Sequence, residues 1–177
     1  MPLLTLSLGS NQRAEYHLRQ ALDGLTEHFG ELRLSSVFES RAVGFQGGNF
    51  LNMVVAVDTD EPLEQIAAWL KALEAANGRQ HTEKKFSSRT LDVDILTWGS
   101  VCGRYAGILL PRSEITENAY VLWPLSEVCS ECVDPHSGQT YARLWAAYDK
   151  NRQSLWPIDF EWRGQKISSA VVYGMAH

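Results

Sequence analysis

Two carboxylates at a spacing of two, Asp92 and Asp94, follow a run of cations, Arg79, Lys84, Lys85 and Arg89. Leu91-Asp92-Val93-Asp94-Ile95-Leu96 alternates with period two, which predicts a strand. On that strand Leu91, Val93 and Ile95 face a core, and both carboxylates project from the opposite side. Like charges held so close repel unless a cation or proton lies between them. A hard divalent cation fits: Mg2+ takes one or two carboxylates and completes its shell with water and phosphate oxygens. Arginine and lysine clamp the remaining phosphate charge. The stretch therefore predicts a metal-nucleotide site, against the plainer reading of Asp-x-Asp as a solvated strand end.

The elements that must position this pair are legible in outline. Leu3 to Leu8 predicts a buried first strand, stopped by a turn at Gly9-Ser10-Asn11, with Ser10 or Asn11 as helix cap. Leu18, Leu22, Leu25 and Phe29 recur at three and four, giving a helix over 12–29 that ends at Gly30. Leu32 to Phe38 predicts a second strand, and 39–50, with its glycines, a functional loop. Phe50 to Val57 is a third strand. Asn52 within it, read alone, suits a flat polar ligand and neighbouring backbone equally. A second helix opens at Glu61-Pro62, buries Leu63, Ile66, Ala67, Leu70 and Leu73, and closes at Asn77-Gly78, with Glu74 on its last turn pointing toward the basic segment.

After the Asp-x-Asp strand, 99–107 is a connector and Ile108 to Leu110 an apolar segment that Pro111 ends. Ala119 to Leu125 is helical at its start, 134–138 a turn, and Tyr141 to Tyr148 a last short helix. The order strand, helix, strand, strand, helix, strand predicts an α+β fold, ferredoxin-like, with a largely antiparallel sheet and flanking helices. Such a fold hosts many functions, so function must come from the site.

Whole-chain properties narrow the classes. The 177 residues are 45% hydrophobic and 21% charged, ordinary for a globular protein of one domain. A net charge of -5 disfavours broad nucleic-acid binding, so an anionic ligand needs a local basic patch, which 79–89 supplies. No run approaches the roughly 18 apolar residues of a membrane span, and the amino terminus lacks a secretory pattern, so a cytoplasmic location is expected. Cys102, Cys129 and Cys132 make no disulfide framework. Cys129-Ser-Glu-Cys132 with His136 nearby is only a partial zinc or redox pattern.

With Ser88-Arg89-Thr90-Leu91-Asp92-Val93-Asp94-Ile95-Leu96 in place, the chain resembles the 6-hydroxymethyl-7,8-dihydropterin pyrophosphokinases, which carry an Arg-x-x-Asp-x-Asp signature. Leu8-Gly9-Ser10-Asn11, Asn49-Phe50-Leu51-Asn52, Leu73-Glu74, Gly78-Arg79, Leu110-Pro111 and Leu122-Trp123-Pro124-Leu125 agree in order. The resemblance covers about residues 1–155. It implies transfer of pyrophosphate from ATP to the pterin hydroxymethyl oxygen, leaving AMP. It also implies two Mg2+ ions on Asp92 and Asp94, and phosphate contacts from the catalytic Arg79 and Arg89. ATP contacts are implied for Glu74, Lys85 and Arg112, and pterin contacts for Val43, Asn52, Phe50 and Tyr120, the two aromatics sandwiching the ring.

The chain departs from the family at Phe86, commonly a loop tryptophan, and at Ser87-Ser88, frequently Gly-Pro. Arg112 stands where histidine is usual, and Asn118 where an arginine often faces the phosphates. The expected partners are small substrates alone, with no nucleic acid or membrane, and the expected state is a monomer. The domain is expected over 1–157, with 158–177 an extension of uncertain order bearing some strand character at 168–173. Arg112 and Asn118 also motivate an alternative, a noncatalytic paralogue that binds pterin or nucleotide.

Overall fold

The computed structural model describes residues 1–41, 48–78 and 90–170. In chain order the elements are β1 (Leu3–Ser10), α1 (Ala14–Phe29), β2 (Arg33–Leu34), β3 (Phe38–Ser40), β4 (Phe50–Asp58) and α2 (Leu63–Ala76). Then come β5 (Asp92–Trp98), β6 (Gly103–Tyr105), β7 (Ile108–Leu110), α3 (Glu114–Glu117), α4 (Ala119–Val128) and α5 (Tyr141–Ala147). The last described elements are β8 (Leu155–Pro157), β9 (Phe160–Trp162) and β10 (Gln165–Ser168). The main sheet runs β5-β1-β4-β3-β8, with β2 also on β4, and every pairing in it is antiparallel. The fold is therefore α+β with a mostly antiparallel sheet.

Alternation on the central strands divides the interior in two. Leu4, Leu6 and Leu8 of β1, Met53, Val55 and Val57 of β4, and Val93 and Ile95 of β5 face α1 and α2. There they meet Leu18, Leu22 and Leu25 of α1 and Leu63, Ile66 and Leu70 of α2, all at 3% exposure or less. The opposite face, through Val54 and Leu96, packs on Ile115 of α3, Val121, Leu122 and Leu125 of α4, and Tyr141 of α5. Helices on both faces explain why β1 and β4 are almost continuously buried.

Several boundaries differ from the sequence expectation. β1 continues through Gly9 and Ser10, which pair with Asn52 and Leu51, so the turn comes later. Neither Ser10 nor Asn11 caps α1. The cap is Arg13, in a left-handed conformation (φ 47°) without a side-chain cap bond, while Asn11 Nδ2 donates to the Gly48 carbonyl. The strand expected over 32–38 breaks into β2 and β3. Between them Ser35 bonds Val54 through both its backbone N–H and its hydroxyl, and the Val37 N–H turns to Ser168 Oγ (2.8 Å). The 99–107 connector contains β6, which folds back on β7 through Ala106 and Gly107, both at positive φ. That is the two-residue hairpin geometry, but Ala-Gly is a poor signal for it beside Asn-Gly. α4 runs on to Val128 with Pro124 inside it.

The carboxyl-terminal part also departs from expectation. Residues 158–170, expected within an extension of uncertain order, carry a second hairpin, β9 with β10, turned at Arg163 and Gly164 with positive φ. Phe160, 3% exposed, joins the core against α1. Arg19 Nε donates to the Glu161 carbonyl, and Trp162 Nε1 and Arg163 Nε both donate to Asp23 Oδ1. The strand character expected over 168–173 falls on β10 only at Ser168; residues 171–177 lie outside the described residues.

Candidate active site

The site grows out of strand register. Gly9 of β1 lies opposite Asn52 of β4 on one side and Asp92 of β5 on the other; Ser7, two residues back, lies opposite Asp94. Side chains on a strand alternate, so Asn52, Asp92 and Asp94 share the sheet face that α3 and α4 cover. They line one cavity there with Ser7 and Gly9, closed by Glu114 of α3 and by Asn118, Tyr120 and Val121 at the start of α4.

Gly9 is required by close approach. A Cβ built on it would stand 2.7 Å from Asn52 Nδ2, so the Asn52 amide lies directly over the β1 backbone. Asn52 is 7% exposed and presents its amide in the same cavity as the carboxylates. Tyr120 comes from the opposite wall. Its phenol is pushed above the usual tyrosine range, first by burial and then by the negative Glu114, Asp94 and Asp92 near it. The ring thus stands beside both carboxylates of the Asp-x-Asp pair.

Arg112 is bound to β5 at several points. Its backbone N–H donates to the Leu96 carbonyl, its Nε to the Ile95 carbonyl (3.2 Å), and its Nη2 to Asp94 Oδ1 (3.2 Å). Glu114 Oε2 lies 4.0 Å from Nη1. Both partners of the Arg112–Asp94 pair are over a third exposed, so the pair contributes at most about 1 kcal/mol. Its larger effect is local: it places a cation beside one of two like charges.

Glu74 is buried on the other side of β5, and its Oε2 accepts from the Val93 N–H (2.8 Å). It therefore anchors the last turn of α2 to the backbone between Asp92 and Asp94. Phe50, two residues before Asn52 and on the same face of β4, is half-buried at the strand's start, opposite Ser40. It is not among the cavity-lining residues named above. Val43, Arg79, Lys85 and Arg89 lie outside the described residues, as do Lys84 and Phe86 to Ser88.

The structure thus brings Asn52, Asp92, Asp94 and Tyr120 to one cavity, with Arg112 on Asp94. Ser7, Gly9, Glu114 and Val121 also line the cavity, and sequence reasoning does not identify them as site residues. For Ser7 and Gly9 a signal existed, since they are the polar-face positions between Leu6, Leu8 and the turn. Glu114 and Val121 are placed by tertiary packing that no local pattern announces. The Cys129–Cys132 pair lies far along α4 at its other end, the sulfurs 2.7 Å apart, and burial pushes the Cys129 thiol up to about 12. His136 lies beside Cys102 instead, at 3.9 Å. No group of three His, Cys, Asp or Glu side chains able to hold a metal forms among the described residues, which leaves the zinc reading without a site.

Comparison with known proteins matches this arrangement to one family. Residues 5–130 match the model for 7,8-dihydro-6-hydroxymethylpterin-pyrophosphokinase (HPPK). A 2-amino-4-hydroxy-6-hydroxymethyldihydropteridine pyrophosphokinase of Bacillus subtilis is 30% identical over 148 residues, covering 79% of this chain and 88% of the relative. One of Synechocystis sp. is 31% identical over 126 residues, 71% of this chain; the match spans 63% of that relative's length. Among solved structures, wild-type HPPK-DHPS of Plasmodium falciparum superposes with a TM-score of 0.69 over 94% of this chain and 50% of its own, at 12% identity, a likeness of fold alone. The chain belongs to the 7,8-dihydro-6-hydroxymethylpterin-pyrophosphokinase family.

Proposed function

We propose that the chain transfers pyrophosphate from ATP to the hydroxymethyl group of 6-hydroxymethyl-7,8-dihydropterin, giving AMP and the pterin diphosphate, a step of folate biosynthesis. The observation that carries this is the single cavity in which a buried amide, Asn52, meets two carboxylates, Asp92 and Asp94, under an aromatic ring, Tyr120. A flat heterocycle needs an aromatic face and a fixed amide edge. A polyphosphate needs cations and charge neutralisation. Family membership supports the same reading.

The residues present fit Mg2+. Two carboxylates on one strand face, with Glu114 lining the same cavity, suit a hard cation that completes its shell with water and phosphate. Asp92 and Asp94 would hold the ions, two being proposed, and the metal would supply charge neutralisation at the phosphates. Asn52 would fix the pterin edge, with Phe50 and Tyr120 on its faces and Val43 at its rim. Arg79 and Arg89 would neutralise the transferred group, and Glu74, Lys85 and Arg112 would meet the nucleotide. The chemistry then rests on positioning and electrostatics, and no strong base is needed.

The strand order β5-β1-β4 with β2 and β3 beyond supports a ferredoxin-like assignment. We take 1–157 as the pyrophosphokinase-like domain, with 158–177 an extension whose described part folds onto α1. A monomeric, cytoplasmic enzyme with small-molecule partners completes the proposal; no helix among the described residues is long and apolar enough to cross a membrane.

A second reading follows from Arg112 on Asp94: a cation already pairs one metal carboxylate, as in a pterin- or nucleotide-binding paralogue without turnover. Asp92→Asn and Asp94→Asn separate the two. An enzyme loses AMP formation in both variants while keeping pterin binding by calorimetry. AMP formation that survives both substitutions refutes the proposal, and wild-type pterin binding with no turnover favours the paralogue.

A further inference from the structure

The first turn of α4, which carries Asn118 and Tyr120 to the cavity, is held by a residue far along the chain. Gln153, shortly before β8, sets Oε1 2.7 Å from the Ala119 nitrogen and Nε2 2.9 Å from Asn118 Oδ1. The two ends of an amide have nearly the same shape, but donor rules fix both groups here. A backbone N–H only donates, so the Gln153 atom facing Ala119 is the oxygen. The other end of Gln153 is then an NH2 group, which also only donates, so the Asn118 atom facing it is the oxygen. Asn118 lines the cavity, and its Nδ2 is the end that Gln153 does not hold, with no hydrogen bond to it among the described residues.

Polarity matters at this spot because its neighbours Asp92, Asp94 and Glu114 offer only acceptors when ionised. An Asn118 oxygen turned inward would add another and repel phosphate; an inward N–H can donate to it. We propose that Gln153 is a positioning residue that locks Asn118 with its N–H toward the cavity, where it donates to a phosphate oxygen of the nucleotide. The proposal rests on the pyrophosphokinase reading above. Gln153 lies outside the matched segment, residues 5–130, so the family match does not reach it.

The test is calorimetric binding of α,β-methylene-ATP with Mg2+ to the wild type, Gln153→Glu, Gln153→Ala, Asn118→Ala and the Gln153→Glu/Asn118→Ala double variant. Pterin affinity, thermal melting and wild-type AMP formation are measured on the same preparations. Glutamate at 153 still accepts from Ala119 but shows Asn118 a second oxygen, so Asn118 must turn its own oxygen inward. Nucleotide affinity is expected to fall about tenfold in Gln153→Glu and in Asn118→Ala, as for one charge-assisted hydrogen bond. The double variant should lose no more than either single one, and Gln153→Ala, which imposes no wrong polarity, should lose less. Pterin affinity should stay within about twofold of wild type.

Wild-type nucleotide affinity in Gln153→Glu overturns the proposal. So do single losses that add in the double variant, or equal losses of nucleotide and pterin affinity in Gln153→Glu and Gln153→Ala, which would make Gln153 a structural residue only. If the wild type forms no pterin-dependent AMP while the nucleotide pattern holds, the reaction assigned above fails and the positioning role stands.

Discussion

Gly9→Ala separates function from stability in one methyl group. The new Cβ would stand 2.7 Å from Asn52 Nδ2, against ordinary contact beginning at 3.4 Å, so the amide must withdraw by roughly 0.7 Å. The next neighbours, Asn52 Cγ at 3.8 Å and the Leu51 carbonyl at 3.9 Å, are already at ordinary distance, so the clash falls on the amide end alone. Hydrogen bonds tolerate a few tenths of an ångström before they weaken. Losing one or two bonds to a neutral ligand at about 0.5–1.5 kcal/mol each predicts a pterin affinity about 2- to 160-fold weaker. Folding stability should change by less than about 1 kcal/mol, since Gly9 needs no positive φ and alanine restricts the unfolded chain. Pterin titration by calorimetry beside a urea melt reads both quantities. Unchanged pterin affinity in a folded Gly9→Ala protein would refute the placement of Asn52 in the pterin site.

Four further outcomes follow. Glu74→Ala strands the buried Val93 N–H and should cost about 2–3 kcal/mol in urea unfolding, with Glu74→Gln, which keeps an acceptor, costing less than half; a loss below about 1 kcal/mol would remove its anchoring role. Phe160→Ala should cost about 3–5 kcal/mol, as for a core phenylalanine; a surface-like loss would detach β9 from the fold. Burial raises the Glu127 carboxyl above its ordinary range against the opposing Ser36 hydrogen bonds, so the folded state holds that proton more tightly. Stability should therefore fall as pH rises from the usual carboxylate range through the raised value, and Glu127→Gln should flatten that slope in melts across pH; an unchanged slope contradicts it. At pH 8, Ellman's reagent should modify exposed Cys102 and leave Cys129, its thiol at about 12, unmodified; rapid labelling of Cys129 in the folded protein would contradict its burial.

How far the sequence reaches differs by region, for physical reasons. The period-two pattern at 91–96 and the helical spacing at 18–29 are local, and the structure puts their apolar faces into the core as expected. Asp92 and Asp94 share a face for the same reason, and Asn52 and Tyr120 join them in the cavity. What stayed hidden depends on tertiary bonds. The break between β2 and β3 exists because Val37 bonds Ser168, 131 residues away, and no window around Val37 contains that information. Ala106-Gly107 and Arg163-Gly164 turn hairpins with unpromising first residues. Gln153 sits in a polar stretch, and only the fold brings it to Asn118.

The most direct test is AMP release from ATP by the purified protein with Mg2+, with and without 6-hydroxymethyl-7,8-dihydropterin. The account predicts AMP formation that depends on the pterin and yields its diphosphate in equal amount. AMP formation indifferent to the pterin, or none with both substrates present, would contradict it.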